Sequence, residues 1–470
     1  MNGVPHATVE GRRPFDPETR SLTIGIILGV TLFAFEALAV VTIAPLFIED
    51  LGGLSLYGWV FSGFLLASLV GAVVGGQLAD DGSLARPLVI GLALFGIGLA
   101  VSGAAQTMLV LIVGRVLQGL GGGALSTVMY AAINRAYPDS ARARMMALTS
   151  SAWVVPALLG PTVAGIVAQT LHWRYVFWGI LPLLLVVVAL TVRPFASMIQ
   201  RTGAGAARGR LRGASLLAVG AGLLLTGVGM ESPWTGLLLA MPGIALTVVG
   251  LRSLTPAGTL RLARGLPSVI AGKGTFFAAF VGVEAFLALM LQSVHGYSTA
   301  VTGAVIAAGS ISWAVGAWLQ SRLDENPAAR RSRRMFTGTW LITAGILAQV
   351  AALFVTAAPL AIVLLGWVTA GLGIGMAHST SSVLAFALAP SGQEGKVSAA
   401  LQIADQFMAA VSTGVGGALV ALAARRGWSE QTGILLAICF VLVLAAVALV
   451  ATWRSEPASE PSQLPGTVRT

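Results

Sequence analysis

Residues 108–132 read MLVLIVGRVLQGLGGGALSTVMYAA and contain one charged side chain, that of Arg115. This stretch is longer than the run of about 20 apolar residues that a helix needs to cross a bilayer. The whole chain has the same character, because its 470 residues are 56% hydrophobic and 10% charged, with a mean hydropathy of +0.87. Soluble domains carry about 25% charged residues. The composition therefore excludes a soluble enzyme, a nucleic-acid-binding protein and a disordered protein as descriptions of the whole chain.

Apolar runs of this length recur along the sequence. Fourteen of them predict an all-α polytopic membrane protein with fourteen transmembrane helices. They cover roughly residues 22–47, 57–79, 86–105, 108–132, 145–169, 174–193, 214–231, 234–252, 268–292, 300–320, 335–356, 359–388, 397–424 and 431–453.

Basic residues concentrate in every second loop. With the N-terminus in the cytoplasm, 24 of the 28 lysine and arginine side chains fall in cytoplasmic segments and three fall outside. The 24 include Lys273, near the start of the ninth run, and Arg115 lies within a span. Positive charge favours the cytoplasmic side of a membrane, and one missed span would invert every later loop. The sequence thus predicts that both termini are cytoplasmic.

A repeat relates the two ends of the chain. Residues 114–123 read GRVLQGLGGG and residues 366–375 read GWVTAGLGIG, which are identical at six of ten positions. Transporters are often built from internal repeats, and this one relates spans 1–6 to spans 9–14. We therefore expect a cytoplasmic tail (1–21), a six-helix half (22–193), a cytoplasmic linker (194–213), an inserted helix pair (214–252), a second six-helix half (253–453) and a cytoplasmic tail (454–470).

Four ionisable side chains lie deep inside predicted spans: Glu36, Arg115, Glu284 and Asp405. An ionised side chain at the bilayer centre costs about 2.5–3.5 kcal/mol, so each marks a functional site by default. A carboxyl group that gains and loses a proton as its surroundings change can couple transport to protons. The alternative is a fixed polar contact between helices. If all four were ionised, the three acids would outweigh the arginine, which favours cationic or neutral cargo.

Polar stripes follow Arg115 on span 4 and Asp405 on span 13 at helical spacing. Span 12 carries the one histidine within a predicted span, which either titrates near neutral pH or serves as a hydrogen-bonded polar residue. Two tryptophans predicted deep in the bundle either line a cavity or pack in the core. The candidate cavity residues are Gln118, Trp153, Trp313, His378, Gln402 and Gln406.

The sequence lacks the motifs of ATP-driven and metal-dependent proteins, which restricts the possible energy sources for transport. A phosphate-binding Walker loop needs G-x-x-x-x-G-K-[ST], but Gly272-Lys273 is followed by Gly274 and lacks the first glycine. Neither an H-E-x-x-H nor a C-x-x-C metal pattern occurs. We therefore expect no ATP-binding domain, no metal and no cofactor, so that transport would use an ion gradient or run passively.

These residues resemble the major facilitator superfamily, and within it the fourteen-helix drug:proton antiporters, over spans 1 to 14. The loop motif after span 2 is partly kept, since Gly76-x-Leu78-Ala79-Asp80 fits while Asp81 and Ser83 replace a basic residue and a glycine. Asp405 also departs from the family pattern, which more often has a basic residue near that position. The other matching signatures are Arg115-x-x-Gln118-Gly119-x-Gly121, Gly160-Pro161-x-x-x-Gly165, Trp173-Arg174-Tyr175-Val176-Phe177, Leu291-Gln292-x-x-x-Gly296-x-Ser298 and Glu36 with Pro45.

The resemblance implies a plasma-membrane exporter whose two halves alternate access to a central site. Its partners would be protons, a small lipophilic substrate and the lipid bilayer, with no nucleic acid. Glu36 would be the main proton carrier and Arg115 its electrostatic partner, assisted by Asp405 and Glu284. Gln292 would join the cavity residues, and the residues of the conformational motifs would be Gly76, Asp80, Gly119, Gly160 and Pro161.

Other interpretations stay open on sequence alone. The same scaffold could export an endogenous lipid or metabolite, or import its substrate. The chain could also be a non-transporting membrane scaffold or receptor, which would not need the embedded Glu36 and Arg115. An intramembrane enzyme is disfavoured, because no nucleophile and base occur at a recognisable spacing.

Overall fold

A computed structural model describes residues 13–80, 83–198, 207–323, 328–355, 357–391 and 393–456. Within these ranges the chain is helical without β-strands, and fourteen segments are long and apolar enough to cross a membrane. The predicted fold class and span count are thereby confirmed. The helices are α1 (Arg20–Leu51), α2 (Tyr57–Asp80), α3 (Ala85–Gly103), α4 (Met108–Ala136), α5 (Asp139–Ser151), α6 (Val154–Thr170), α7 (Arg174–Trp178), α8 (Ile180–Ala196), α9 (Ala207–Gly229), α10 (Pro233–Leu254), α11 (Leu266–Leu289), α12 (Thr299–Leu323), α13 (Ala328–Ala352), α14 (Pro359–Ala387), α15 (Glu394–Arg425) and α16 (Glu430–Trp453).

Two spans consist of two helices each. The fifth span joins α5 to α6 and the sixth joins α7 to α8. A proline inside a helix is a candidate for a bend, but α6 continues through Pro161, and the fifth span is interrupted at Ala152 and Trp153, between α5 and α6. A proline removes one backbone hydrogen bond, and neighbouring membrane helices can absorb that cost.

The repeated decapeptides have the same packing function in both places. Where α3 packs on α4, and again where α13 packs on α14, glycines on both helices let the two backbones come close. A β-carbon would collide with the facing helix at every one of these glycines except Gly91, where it would make a tight contact with Leu125, so small residues are favoured there. The glycine pairs in contact are Gly98 with Gly114, Gly91 with Gly121, Gly345 with Gly366 and Gly338 with Gly373.

Spans 1–6 and spans 9–14 meet at the end of the bundle away from both termini. There α2 packs on α15 through Gly58, which faces Thr413 and Gly417, and α6 packs on α12 through Pro161, which faces Gly303. Toward the termini, α4, α5 and α6 do not pack against α14 or α15 in the described residues. The bundle is thus closed at one end and open at the end that carries the termini.

The inserted pair contacts both sets of helices. Helix α9 packs against α2 and α15, whereas α10 lies outside it with Trp234 81% exposed. An Arg425 side-chain nitrogen donates to the Gly229 carbonyl at 2.7 Å, at the C-terminal end of α9. A cation is favourable there because that end carries partial negative charge, which accounts for an arginine on the side predicted to have few. The buried residues between the three helices are Leu66, Leu69, Ala214, Leu217, Ala221, Leu225, Ile403, Phe407 and Ala410.

Lys273 does not lie in the loop to which its charge was assigned. It was counted with the cytoplasmic loops, but it lies inside α11 with its side chain 6% exposed. A lysine can be buried when a partner compensates its charge, and Lys273 has such a partner.

Candidate functional site

Glu36 on α1 and Arg115 on α4 form an ion pair in the interior of the bundle. Their side chains are 1% and 3% exposed. One guanidinium nitrogen, Nη1, donates to Glu36 Oε1 and to Gln118 Oε1, and Nε donates to the Val60 carbonyl at 3.1 Å. The structure thus brings together the two residues that the sequence predicted to act as partners.

The surroundings of Arg115 hold it in place from two more sides. The Phe64 ring centroid lies 4.3 Å from its Cζ atom, within the range of a cation–π contact. Gly119 faces Ala67 and the Phe64 carbonyl, so the absent side chain lets α2 approach α4. Glu36 Oε2 is buried without a hydrogen-bond partner among the described residues, which leaves one carboxylate oxygen able to take a proton.

Gln118 was expected to line the cavity, and the structure corrects this. Its side chain is 0% exposed, and its Nε2 donates to Ser102 Oγ at 3.3 Å while its carbonyl oxygen accepts from Arg115. The residue thus orients the guanidinium.

A cavity of about 90 Å³ lies on the open-end side of the ion pair, with Phe33 of α1 and Gly122 of α4 in its wall. Apolar side chains form most of its wall, and four of them are aromatic: Phe33, Phe95, Tyr130 and Trp153. Trp153 stands edge-on to Phe33 with ring centroids 6.2 Å apart, and Tyr130 and Trp153 are each partly exposed. Trp153 therefore lies where a cavity residue was expected.

A second polar cluster lies among α11, α14 and α15. Asp405 Oδ2 is 3.4 Å from Lys273 Nζ and 3.2 Å from His378 Nε2. The Trp313 ring lies beside His378, with centroids 5.7 Å apart. The structure thus joins Asp405, His378 and Trp313, which the sequence proposed separately, and adds Lys273.

Spacing along α11 could have drawn attention to Lys273. Lys273, Phe277, Phe280 and Glu284 follow at i, i+4, i+7 and i+11, so they lie on one helix face. Glu284 is half-buried and makes no hydrogen bond or ion pair with the part of the chain that the structure describes. The two embedded cations, Arg115 and Lys273, already pair with Glu36 and Asp405. Among the described residues, Glu284 is therefore an embedded acid without a cation partner.

The remaining predicted cavity residues occupy different settings. Gln292 lies at the closed end, where its Nε2 donates to the Thr42 carbonyl at 3.0 Å and its Oε1 accepts from Thr299 at 3.3 Å. It therefore ties α1 to the segment between α11 and α12, away from the cavity. Gln402 is exposed and Gln406 half-buried, and neither bonds to Asp405.

The loop after span 2 retains part of its expected contacts. Arg135 donates to the Ala79 carbonyl at 2.8 Å, beside Asp80, whose charge attracts it. Asp81 lies outside the described residues. Gly76 is half-buried on α2, and a β-carbon there would lie 3.4 Å from Thr127.

The aromatic–arginine signature before α8 fixes a corner of the closed end. Arg174 Nη1 lies 2.6 Å from Asp50 Oδ2, and Arg174 also donates to the Ala105 carbonyl at 2.7 Å. Trp173 Nε1 donates to the same Asp50 oxygen at 3.2 Å. This network connects the end of α1 with the loop after α3, which explains why an arginine stands on the predicted outer side.

Comparisons with known proteins agree with this architecture. The sequence profile described as "Major Facilitator Superfamily" matches residues 26–413. A relative from Mycobacterium tuberculosis (strain ATCC 25618 / H37Rv), named "Probable multidrug-efflux transporter", is 28% identical over 480 residues, which cover 93% of this chain and 95% of the relative. Another from the same strain, "Multidrug resistance protein Stp", is 28% identical over 375 residues and covers 77% of this chain and 68% of its own. The solved structure of a D-xylose–proton symporter is 17% identical and has a TM-score of 0.66 over 93% of this chain and 98% of its own, which supports the fold. The chain therefore belongs to the major facilitator superfamily, as a multi-pass transporter of the plasma membrane and not an enzyme.

Proposed function

We propose that this transporter exports lipophilic cationic or neutral small molecules in exchange for protons, by alternating access. The observation that carries the proposal is the buried Glu36–Arg115 ion pair, whose two helices also line an apolar cavity. With the termini in the cytoplasm, as the loop charges predict, the open end faces the cytoplasm. The structure then corresponds to the state that collects cargo for export.

A proton on Glu36 would change the pair from attraction between two charges to a cation beside a neutral acid. Arg115 would keep its bonds to Val60 and Gln118, whereas α1 would lose its charge contact with α4. The same helix accepts the hydrogen bond from Gln292 at Thr42, about 9 Å further along its axis at 1.5 Å per residue. Protonation of Glu36 would thereby weaken the attachment of α1 to α4. Since Thr42 lies on the same helix, a shift of α1 would also weaken its contact with Gln292 at the closed end.

The charges of the interior favour a cationic or neutral cargo. Glu284 is half-buried and unpaired, on the helix face that carries Phe277 and Phe280. A carboxylate beside aromatic rings suits an amine attached to an apolar body, because both the charge and the ring faces attract a cation. Two of its relatives carry multidrug names, one of them as an efflux transporter, which supports the export of small molecules.

Transport into proteoliposomes under an imposed pH gradient tests the proposal. Wild-type protein should accumulate a lipophilic cation against its gradient when the cargo-receiving side is acidic. Glu36→Gln should abolish this proton-driven accumulation, since an amide cannot exchange a proton. Glu49→Gln is the matched control, because Glu49 is an exposed acid at the end of the same helix, and it should transport like wild type.

Two results would contradict the proposal. Export of organic anions alone, unaffected by Glu36→Gln, would remove both the cargo class and the coupling residue. Transport of a lipid but of no lipophilic drug, in the same vesicles, would favour the endogenous-lipid exporter instead.

A further inference from the structure

The cluster around Asp405 has features that an ion pair alone does not need. Lys273 Nζ donates to Ser382 Oγ at 3.0 Å and lies 3.4 Å from Asp405 Oδ2. The same carboxylate oxygen lies 3.2 Å from His378 Nε2. Asp405 Oδ1 is buried and has no partner among the described residues. Asp405 Oδ2 thus contacts both Lys273 and His378, whereas Oδ1 contacts neither.

Close packing of α11 on α15 fixes the distance between Lys273 and Asp405. A β-carbon on Gly274 would lie 2.8 Å from the Ala404 carbonyl oxygen, so only glycine permits this approach. Each of these two residues directly adjoins one member of the pair. The lysine ammonium is therefore held at the carboxylate by the backbones of two helices, and its side chain is 6% exposed.

The hydrogen bonds decide which nitrogen of His378 carries the hydrogen. An ionised carboxylate only accepts hydrogen bonds, so the bond between His378 Nε2 and Asp405 requires the hydrogen on Nε2. The lone pair of a neutral ring is then on Nδ1, for which the described residues provide no donor. His378 is 27% exposed, more than Asp405 at 14%, so the histidine is the member of the cluster that water reaches best.

The groups that face His378 come from three helices. Helix α11 contributes Lys273 and the Phe277 ring, whose centroid is 5.6 Å away, α15 contributes Asp405, and α12 contributes the Trp313 ring at 5.7 Å. Helix α13 packs on the opposite side of α14, through Gly338 against Gly373 and Ala377. The one anion and the one cation that act on the ring oppose each other, which leaves its protonation open to change.

We propose that His378 is a second proton-binding residue, which accepts a proton at Nδ1 while Asp405 and Lys273 hold the ring in position. The inference deepens the proposed proton-coupled transport and rests on it for its role in the cycle. Proton uptake adds one N–H bond at Nδ1 and breaks no bond to Asp405, so the cluster changes charge without coming apart. The protein then has one proton site near α4, at Glu36, and a separate one beside α14.

A protein with a single histidine tests this directly. The chain has four histidines, and replacing His6, His172 and His295 by asparagine leaves His378. In a ¹⁵N-labelled sample of the full chain in detergent, long-range ¹H–¹⁵N correlation reports both the tautomer and the charge of the ring. We expect the Nε2–H tautomer at high pH and a titration within the range of about 5 to 8 in which histidines switch.

Two variants should move the titration in opposite directions. Asp405→Asn removes the anion that stabilises the charged ring and should lower the midpoint by about one pH unit or more, whereas Lys273→Met removes the opposing cation and should raise it. Lys273→Arg keeps the charge and should leave the midpoint near that of wild type, which covers the case in which Lys273→Met does not fold. A ring that does not titrate in this range, or that shows the Nδ1–H tautomer, would overturn the proposal. So would an unchanged midpoint in Asp405→Asn or in a folded Lys273→Met.

The titration is measured without transport, so its failure and the failure of proton-coupled export are distinguishable. A titrating His378 in a protein that shows no proton-driven transport would leave this site standing and remove the coupling mechanism. Proton-driven transport by a protein whose His378 never titrates would leave Glu36 as the proton carrier and remove the second site.

Discussion

Arg115 combines contacts that a lysine cannot reproduce. Its planar guanidinium donates in two directions to Glu36 and Gln118, and from Nε to the Val60 carbonyl. A lysine offers one compact ammonium in place of this fork. The geometry therefore explains why an arginine occupies the position, and it separates the charge of the residue from its hydrogen bonds.

Removing the arginine alone should cost more stability than removing the whole ion pair. Arg115→Met leaves the buried Glu36 without a cation, and breaking such a pair costs about 3–5 kcal/mol. Glu36→Gln combined with Arg115→Met should recover most of that loss. Reversible unfolding in mixed micelles measures the free energies, and both proteins should lack proton-driven transport.

A double variant as unstable as Arg115→Met would contradict this account. The loss would then come from the hydrogen bonds to Val60 and Gln118, and the burial of an unpaired carboxylate would contribute little.

Sequence and structure agree best where a charge interrupts an apolar run. Glu36 and Arg115 stand out because nothing else in their runs is charged, and their opposite signs suggest a pair. Lys273 was missed because it lies near the start of its run, where a loop lysine looks the same. Its partners Asp405 and His378 come from two other helices, and no spacing within one helix predicts a contact between three.

At the scale of helices, the segment after α11 is a candidate for a pH-dependent element. A π-helical turn, Met290–Val294, leads to His295, whose Nε2 atom is buried without a partner among the described residues. Burial lowers the pKa of His295 below its usual value. The closed segment therefore favours the neutral ring, and an opened segment would expose it at an ordinary value of about 6.5.

Lowering the pH should loosen this segment. The opened form binds the proton more tightly, so stability of the closed form is present above about pH 6.5 and is lost as the pH falls below it. Amide hydrogen exchange over residues 290–299, corrected for its intrinsic pH dependence, should be up to about tenfold less protected at pH 5.5 than at pH 7.5. His295→Gln should remove the difference, and an equal difference in that variant would assign it to another group.

Glycine positions show how much of the helix packing the sequence contains. The repeated decapeptides predicted that α4 and α14 are equivalent, and their glycines contact α3 and α13 in the same pattern. The sequence could not show which helices they face, because a glycine permits the close approach of any helix and does not select one. For the same reason, only the three-dimensional structure shows that Gly58 contacts Thr413 and that Gly303 contacts Pro161.

For the whole molecule, the contact of α6 with α12 is one of those that close the end away from the termini. A β-carbon on Gly303 would overlap the Pro161 carbonyl, so Gly303→Ala should separate the helices there. Gly222→Ala is the control, because a β-carbon there meets only Trp59, at 3.9 Å.

Opening the closed end should bring the open end together. Spin labels at Arg144→Cys and Ala387→Cys, in a protein with Cys439→Ser, report the distance across the open end, since both positions are exposed there. In Gly303→Ala the distance distribution should shift toward shorter values, and in Gly222→Ala it should match the parent protein. A shift of both ends in the same direction would mean that the two sets of helices do not rock about a central site.

Helix α9 would constrain a rocking motion of the two halves on the side of the bundle formed by α2 and α15, and not on the side formed by α6 and α12. It packs against both α2 and α15 and buries an apolar cluster between them, whereas the contact of α6 with α12 has no such covering helix in the described residues. Any rocking of the two halves must therefore preserve or remake the α9 contacts. Of the inserted pair, α9 therefore lies where the two sets of helices meet, and α10 lies outside it.

The central claim is that the transporter exchanges cargo for a proton bound at Glu36. Adding a lipophilic cation to purified protein in weakly buffered detergent solution measures this directly, because proton release acidifies the solution. The account predicts acidification by wild-type protein at pH values where Glu36 is partly protonated, and a loss of the Glu36-dependent part in Glu36→Gln with cargo binding retained. Equal proton release from both proteins, or cargo binding without any release across the whole pH range, would contradict it.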